Sequence, residues 1–237
     1  MIFIRSALFL VWFVTISVAM HVLALPSLVL PRGFVMFLAR IWARVILFGL
    51  KWIAGLGYEV RGREHLPTSG ALVASKHYST WETIALFLLL PDPAIVLKRE
   101  LMRIPFYGWY ARKMQMIPVD RAGGGRALLR TMHRTATRAL VQNRQIVIFP
   151  EGTRRRPGDA PAYKPGVAGL YAQLGVPCVP VMHNSGLFWL RRGFLKKPGT
   201  IVVEFLPPIP PGLSRDVFAA QLQNRIETAA SRLIGAA

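Results

Sequence analysis

The sequence predicts an α/β fold, a mixed and largely parallel sheet flanked by helices, with an N-terminal membrane-embedded helical hairpin in front of it. From Tyr58 onward, short apolar runs alternate with stretches of helical periodicity, as when strands are joined by helical crossovers. Several runs, Val147-Ile148-Phe149 above all, are unbroken β-branched and aromatic residues, the composition of a strand covered on both faces. Residues 6 to 30 hold no charge between Arg5 and Arg32, enough chain to cross a bilayer.

The first stretch exceeds the apolar core of a signal peptide and runs into a second helical segment, which argues against cleavage. That second segment, Gly33 to Gly57, puts Arg40, Arg44 and Lys51 within about 40° of one another at 100° per residue, leaving Phe37, Leu38, Ile41, Trp42 and Trp52 for the rest of the wheel. A basic stripe beside tryptophan belongs at a headgroup interface. Pro26 and Pro31 divide the two runs, so either both dip into one leaflet as a hairpin or the first spans while the second lies flat. The expected division is 1–57 for membrane-associated helices and 58–237 for the α/β domain.

Strands are expected at Tyr58 to Arg61, Ala71 to Ser75, Ala94 to Lys98, Gln115 to Val119, Gln145 to Phe149, Pro177 to His183 and Thr200 to Phe205. Helices are expected at Trp81 to Leu90, Phe106 to Lys113, Arg126 to Asn143, Gly166 to Leu174 and Arg215 to Ile234. Arg126, Arg130, Arg134 and Arg138 recur every fourth residue and form one cationic ridge, either a solvated face or a docking ridge for an acidic partner or anionic lipid. Gly123-Gly124-Gly125 lacks the Gly-Lys-Ser/Thr ending of a phosphate loop and reads as a linker. Residues Leu187 to Lys197 interleave apolar and aromatic side chains with Arg191, Arg192, Lys196 and Lys197, as a membrane-touching loop or as a buried hairpin with solvated charges.

The chain is 53% hydrophobic yet carries a formal charge of +19, a pairing that suits a basic body held on an anionic surface. Anionic lipid attracts basic segments at roughly 1 kcal/mol per Lys or Arg near the surface; nucleic acid is the other polyanion such a chain could bind. The single cysteine, Cys178, excludes an internal disulfide, and its apolar flanks read as a buried, inert thiol in a reducing compartment. The histidines show no short ligand spacing, so no metal is expected.

Two strand ends carry chemistry. The run to Phe149 stops at Pro150 and delivers Glu151, Gly152, Thr153 and Arg154 to the carboxyl edge of the sheet, where open α/β folds place ligands. Gly152 lets backbone approach a ligand, Thr153 offers a hydroxyl, and Arg154 offers a planar fork suited to phosphate. The run Ala71 to Ala74 ends in Ser75-Lys76-His77-Tyr78-Ser79-Thr80-Trp81-Glu82. On one straight helix His77 and Glu82 would stand about 140° apart, so they meet only if the chain turns between them. Ser79-x-x-Glu82 matches a capping box, which puts His77 just outside a helix and Glu82 in its first turn. A positioned imidazole is a general base, and an acid on its other nitrogen fixes the tautomer. With no Ser or Cys placed as a nucleophile, direct transfer is favoured over a covalent intermediate.

His77-x4-Glu82, Lys98-Arg99-Glu100-Leu101 with Ile104-Pro105-Phe106-Tyr107-Gly108, Glu151-Gly152-Thr153-Arg154 and Val179-Pro180-Val181 together resemble the four ordered blocks of the glycerolipid acyltransferases, in particular the bacterial 1-acyl-sn-glycerol-3-phosphate (lysophosphatidic acid) acyltransferases. The resemblance runs from about residue 58 to 210. The family's pattern is His-x4-Asp, where this chain has Glu82 with one methylene more. The resemblance implies transfer of a fatty acyl group from coenzyme A or acyl carrier protein to lysophosphatidic acid, giving phosphatidic acid, with no cofactor. It implies His77 as base and Glu82 as its orienting acid. Arg154 and Gly152 would hold the phosphate with Thr153, Lys98 and Arg121 beside them, and Glu151 would orient Arg154 or a substrate hydroxyl. The partners are then membrane lipids rather than nucleic acid, and the site of action is the cytoplasmic side of a bacterial inner membrane. The rival readings are another acceptor, lyso-ornithine lipid or glycerol 3-phosphate, and a basic membrane-bound nucleic-acid adaptor.

Overall fold

The computed structural model describes residues 1–120, 125–191 and 193–235, with backbone alone over 125–131. Seven strands form one sheet in the order β1-β7-β6-β2-β5-β3-β4: β1 Leu56–Arg61, β2 Ala71–Ser75, β3 Pro93–Lys98, β4 Ile117–Val119, β5 Gln145–Ile148, β6 Cys178–His183 and β7 Gly199–Phe205. Only the β6–β7 pairing is antiparallel, so the sheet is mixed and largely parallel as expected. Each expected strand is present, with β1, β3 and β7 starting one or two residues earlier than expected and β4, β5 and β6 shortened. Gln115 takes a left-handed φ of 56°, so β4 starts two residues later than expected. Phe149 leaves β5 and its ring stacks on His77.

The helices are α1 Ile2–Leu23, α2 Arg32–Gly49, α3 Trp81–Leu89, α4 Tyr107–Lys113, α5 Gly125–Val141, α6 Pro165–Leu174 and α7 Arg215–Gly235. Because successive strand residues point to opposite faces, β2 sends Val73 to one core and Leu72 and Ala74 to the other. The first core joins α1, α2, α3 and α4 through Phe9, Ile46, Trp81 and Tyr110. The second joins α5, α6 and α7 through Ala136, Leu170 and Phe218.

The N-terminal helices are each long and apolar enough to cross a membrane. They pair antiparallel. Arg5 Nε donates to Ile53 O at 2.7 Å, Trp12 Nε1 to Val45 O at 3.2 Å and Trp42 Nε1 to Ser17 Oγ at 3.1 Å, so sequence number falls on one helix as it rises on the other. The two arms thus form a helical hairpin. Gly55 ends the second arm at φ 71°, and a Cβ there would lie 2.6 Å from Arg5 Nη2. The basic stripe is split. Arg44 and Lys51 are exposed, but Arg40 donates to Phe87 O at 3.3 Å and reaches Pro91 O, serving carbonyls at the end of α3 that have no partner within the helix.

The tip of the hairpin's first arm docks on the 187–197 loop. Lys196 N donates to Ser6 Oγ at 2.9 Å, and Trp189, buried, packs edge-on against Phe9 with centroids 5.6 Å apart. Leu190, Phe194 and Leu195 stay exposed, so the loop combines a buried anchor with an apolar rim. Gly123, Gly124 and the side chains of Arg126 and Arg130 lie outside the described residues; Arg134 and Arg138 are exposed.

No break in packing marks residue 57, since Ala43, Ile46, Leu50 and Ala54 belong to the same apolar cluster as Val73 and Trp81. Deleting residues 1–55 strips helix cover from that face of the sheet. In detergent, the full chain is expected to melt in one cooperative transition read by circular dichroism, and the truncated chain is expected to lose it.

Candidate active site

The loops after β2, β5 and β6 leave one edge of three neighbouring strands, which brings residues 76–82, 150–155 and 183–187 together. Lys76 N donates to Val181 O at 2.9 Å, and the chain then turns into α3. At the turn the Ser79 hydroxyl accepts from Trp81 N at 3.0 Å while Glu82 reaches back to Ser79 N at 2.8 Å, a variant of the capping box in which the hydroxyl takes the N–H two residues on rather than three, one residue ahead of the helix's cap at Thr80. Both expectations for this segment hold: His77 stands outside the helix and Glu82 in its first turn.

His77 Nδ1 lies 2.8 Å from Glu82 Oε1. A carboxylate only accepts, so Nδ1 carries the proton and Nε2 is the nitrogen left for chemistry. The ring stacks on Phe149 at 4.1 Å and its side chain is 14% exposed. His77's peptide is gripped on both sides, as its N–H donates to Glu151 Oε2 at 3.2 Å and its carbonyl accepts from Arg155 N at 2.8 Å.

Glu82 is 1% exposed. Burial pushes its pKa up, but His183, His77 and the Ser79 hydroxyl outweigh that and hold it at about 2. His183 is itself buried, which lowers its own pKa; the donors that hold the carboxylate directly are those of His77, Tyr78, Ser79 and Ser185. The extra methylene of glutamate is accommodated, because the carboxylate still reaches Nδ1 at hydrogen-bond distance.

The four residues after Pro150 divide. Gly152 adopts φ 65° and its N–H bonds Phe149 O at 2.9 Å, closing the turn that only a residue without Cβ takes readily. Gly152, Thr153 and Arg154 line a cavity of about 830 Å³ together with His77, Lys98 and Arg191. Arg154 Nε is shielded from solvent with no hydrogen-bond partner among the described residues, a donor awaiting an acceptor. Glu151, expected at the phosphate site to orient Arg154 or a substrate hydroxyl, is 2% exposed and pairs with Lys76 Nζ at 3.0 Å. Lys76 in turn binds Glu227 Oε1 of α7 at 2.6 Å, and Tyr163 OH donates to the same oxygen at 2.9 Å. A buried carboxylate needs a cation, and Lys76 is the one that β2 delivers. Burial raises the Glu151 pKa and Lys76 opposes the rise. Arg121 lies outside the described residues.

The cavity continues away from His77 along Thr83, Ile84 and Phe87 of α3, Phe13, Val35 and Trp42 of the hairpin, and Leu101, Ile104 and Tyr110. Sequence reasoning missed this wall, and also Lys76, Glu227, Ser185 and His183. Only the adjacency of Lys76 to His77 hinted at any of them.

The family model described as Acyltransferase matches residues 57–184, more than half of the chain, with the site's loops after β2 and β5 and the first residues of the loop after β6. The chain belongs to this acyltransferase family. Among its relatives, a 1-acyl-sn-glycerol-3-phosphate acyltransferase of Pseudomonas aeruginosa is 36% identical over 171 residues, covering 72% of this chain and 66% of the relative. The human alpha form is 32% identical over 177 residues, covering 73% and 62%. The chain thus spans just under two thirds of the length of these relatives. The crystal structure of the 1-acyl-sn-glycerophosphate acyltransferase of Thermotoga maritima has the same fold, with a TM-score of 0.78 at 20% identity over 98% of this chain and 99% of that one.

Glu82's depressed pKa links the acyltransferase site to acid stability. A carboxylate held at about 2 against an ordinary 4.5 stabilises the fold above the ordinary value, and that contribution is lost as pH falls from 4.5 through 2. Glu82→Gln has no such proton to gain, so its thermal midpoint is expected to fall less than the parent's across that window in parallel melts.

Proposed function

We propose that this acyltransferase moves a fatty acyl group from a coenzyme A or acyl carrier protein thioester to the free sn-2 hydroxyl of 1-acyl-sn-glycerol 3-phosphate, making phosphatidic acid for phospholipid synthesis. The observation that carries the reading is one cavity with three chemistries on its wall. It has a base-competent His77, the buried donor of Arg154 that has no partner among the described residues, and apolar lining from the N-terminal hairpin. Its volume of about 830 Å³ is in the range of sites that hold a large ligand.

In the proposed step His77 Nε2 takes the acceptor hydroxyl's proton as that oxygen attacks the thioester carbonyl. The C–O bond forms, the C–S bond breaks, and the imidazolium returns the proton to the departing thiolate. Glu82 stays ionised and steadies the imidazolium through Nδ1. Arg154 takes the acceptor's phosphate as a fork, with Lys98, Arg191 and Arg121 adding positive charge. Glu151, neutralised by Lys76, acts from behind and does not repel the phosphate. No cofactor enters this step.

Phosphate favours this acceptor over lyso-ornithine lipid, whose headgroup offers Arg154 no phosphate, and the apolar wall favours a lysolipid over glycerol 3-phosphate. The exposed apolar side chains of α1 and α2, such as Leu8, Val11, Phe37 and Trp52, and the charge of +19 support a place on the inner, cytoplasmic membrane with the α/β body on the cytoplasmic side.

Two assays test the reading. His77→Ala is expected to lower kcat with lysophosphatidic acid by about 10²- to 10⁴-fold while the melting profile persists; a folded His77→Ala protein with near-parental kcat refutes the base. Arg154→Lys keeps the charge but not the fork, so KM for lysophosphatidic acid is expected to rise more than KM for the donor. A rise confined to the donor assigns Arg154 to the donor's phosphates instead.

A further inference from the structure

His77 depends on where the Glu82 carboxylate points, and a glutamate has one more rotatable bond than an aspartate with which to lose its aim. Oε1 is held locally. It accepts from His77 Nδ1 at 2.8 Å, Tyr78 N at 2.9 Å and Ser79 N at 2.8 Å, all within the same turn. Oε2 is held differently. It accepts from Ser79 Oγ at 2.7 Å and Ser79 N at 3.1 Å, and also from Ser185 Oγ at 3.2 Å, 103 residues away in the segment after β6.

We propose that Ser185, acting with Ser79, is a positioning residue that locks the Glu82 carboxylate onto His77. This rests on the reading of His77 as the base.

The two hydroxyls lie 2.8 Å apart, so Ser79 Oγ, Ser185 Oγ and Glu82 Oε2 close a triangle. Each hydroxyl has one proton. When Ser79 donates to Glu82, Ser185 is free to donate to Ser79; when Ser185 donates to Glu82, Ser79 is free to donate to Ser185. In both arrangements a second hydroxyl polarises the first toward the anion, and hydrogen bonds in such chains strengthen one another. Ser79 and Ser185 are fully buried, so no solvent replaces a lost donor.

Ser185 can act as a fixed point because its own segment is anchored from three sides. His183 Nε2 donates to Lys76 O at 2.8 Å, directly before His77. Asn184 Oδ1 accepts from Val202 N at 2.8 Å, tying the segment to β7. Gly186 presses the loop onto the base's turn, as a Cβ there would lie 2.8 Å from Pro157 Cγ and 3.0 Å from Tyr78 Cβ. The strand that holds the Val179-Pro180-Val181 block thus leads into a polar segment that reaches the reacting pair through Glu82.

The test is a double-mutant cycle on the full-length protein in detergent, with Ser185→Ala, Glu82→Gln and the pair, read as kcat and KM for lysophosphatidic acid and donor. Ser185→Ala is expected to lower kcat roughly ten- to a hundred-fold, the size of one hydrogen bond to a charged group, with both KM values unchanged. In the Glu82→Gln background it is expected to add little, because it acts through that carboxylate. Ser185→Thr, which keeps the hydroxyl, is expected to recover most of the loss, and thermal melts of each variant verify folding. Parental kcat in folded Ser185→Ala, or losses that multiply in the double variant, overturn the proposal. A second readout does not need turnover: in protein carrying ¹⁵N-histidine, the His77 Nδ1–H resonance is expected at low field and to move to higher field in Ser185→Ala. An unmoved resonance also overturns the proposal. If the parent protein acylates no lysophosphatidic acid, the acceptor reading fails while the resonance still decides the role of Ser185.

Discussion

A carboxylate that is 1% exposed and still ionised governs the architecture of this site. Removing such an ion from water costs several kcal/mol unless its oxygens are fully donated to. The donors come from the turn after β2 and from the tip of β6, and the carboxylate sits in the first turn of α3, where the helix's positive end favours it. Those pieces meet only because β6 and β2 are direct neighbours in the sheet. The strand order is thus tied to the chemistry: with another strand beside β2, Ser185 would be elsewhere and Glu82 Oε2 would keep only the donors of Ser79.

Charge is sorted front to back around His77. Behind it, Lys76 neutralises Glu151 and shares Glu227 with Tyr163, so the buried side forms a closed network that fixes backbone. In front, Lys98 and Arg191 line the cavity and Arg154 keeps a buried donor with no partner among the described residues. A carboxylate next to a phosphate fork would repel the phosphate, and pointing Glu151 backward removes the conflict. Through its bond to His77 N, the same residue also couples the loop that carries Arg154 to the residue that carries the base.

The N-terminal hairpin serves two roles through two faces. Its inner face completes the first core and walls the cavity through Phe13, Val35 and Trp42. Its outer face leaves large apolar side chains such as Leu8, Val11, Phe37 and Trp52 exposed, which water disfavours and a lipid phase would cover.

Strands, helices and the residues at their ends were legible in the sequence because they follow from local periodicity and local turn chemistry. The Ser79-x-x-Glu82 box, the apolar run into Pro150 and the glycine after Glu151 each act within a few residues. His77 against Glu82, and Gly152, Thr153 and Arg154 on one wall, could therefore be expected before any coordinates existed. The side on which Glu151 points could not, since it depends on Lys76, 75 positions earlier in the numbering, and on Glu227, 151 residues from Lys76. The hairpin's membership in the core, the cavity wall and the hydroxyl of Ser185 were hidden for the same reason. Sequence fixes what each segment can form and which groups it carries. Only the packing of the strands decides which buried charge meets which partner, because in a dry interior every such group must find one and the candidates lie a hundred residues apart.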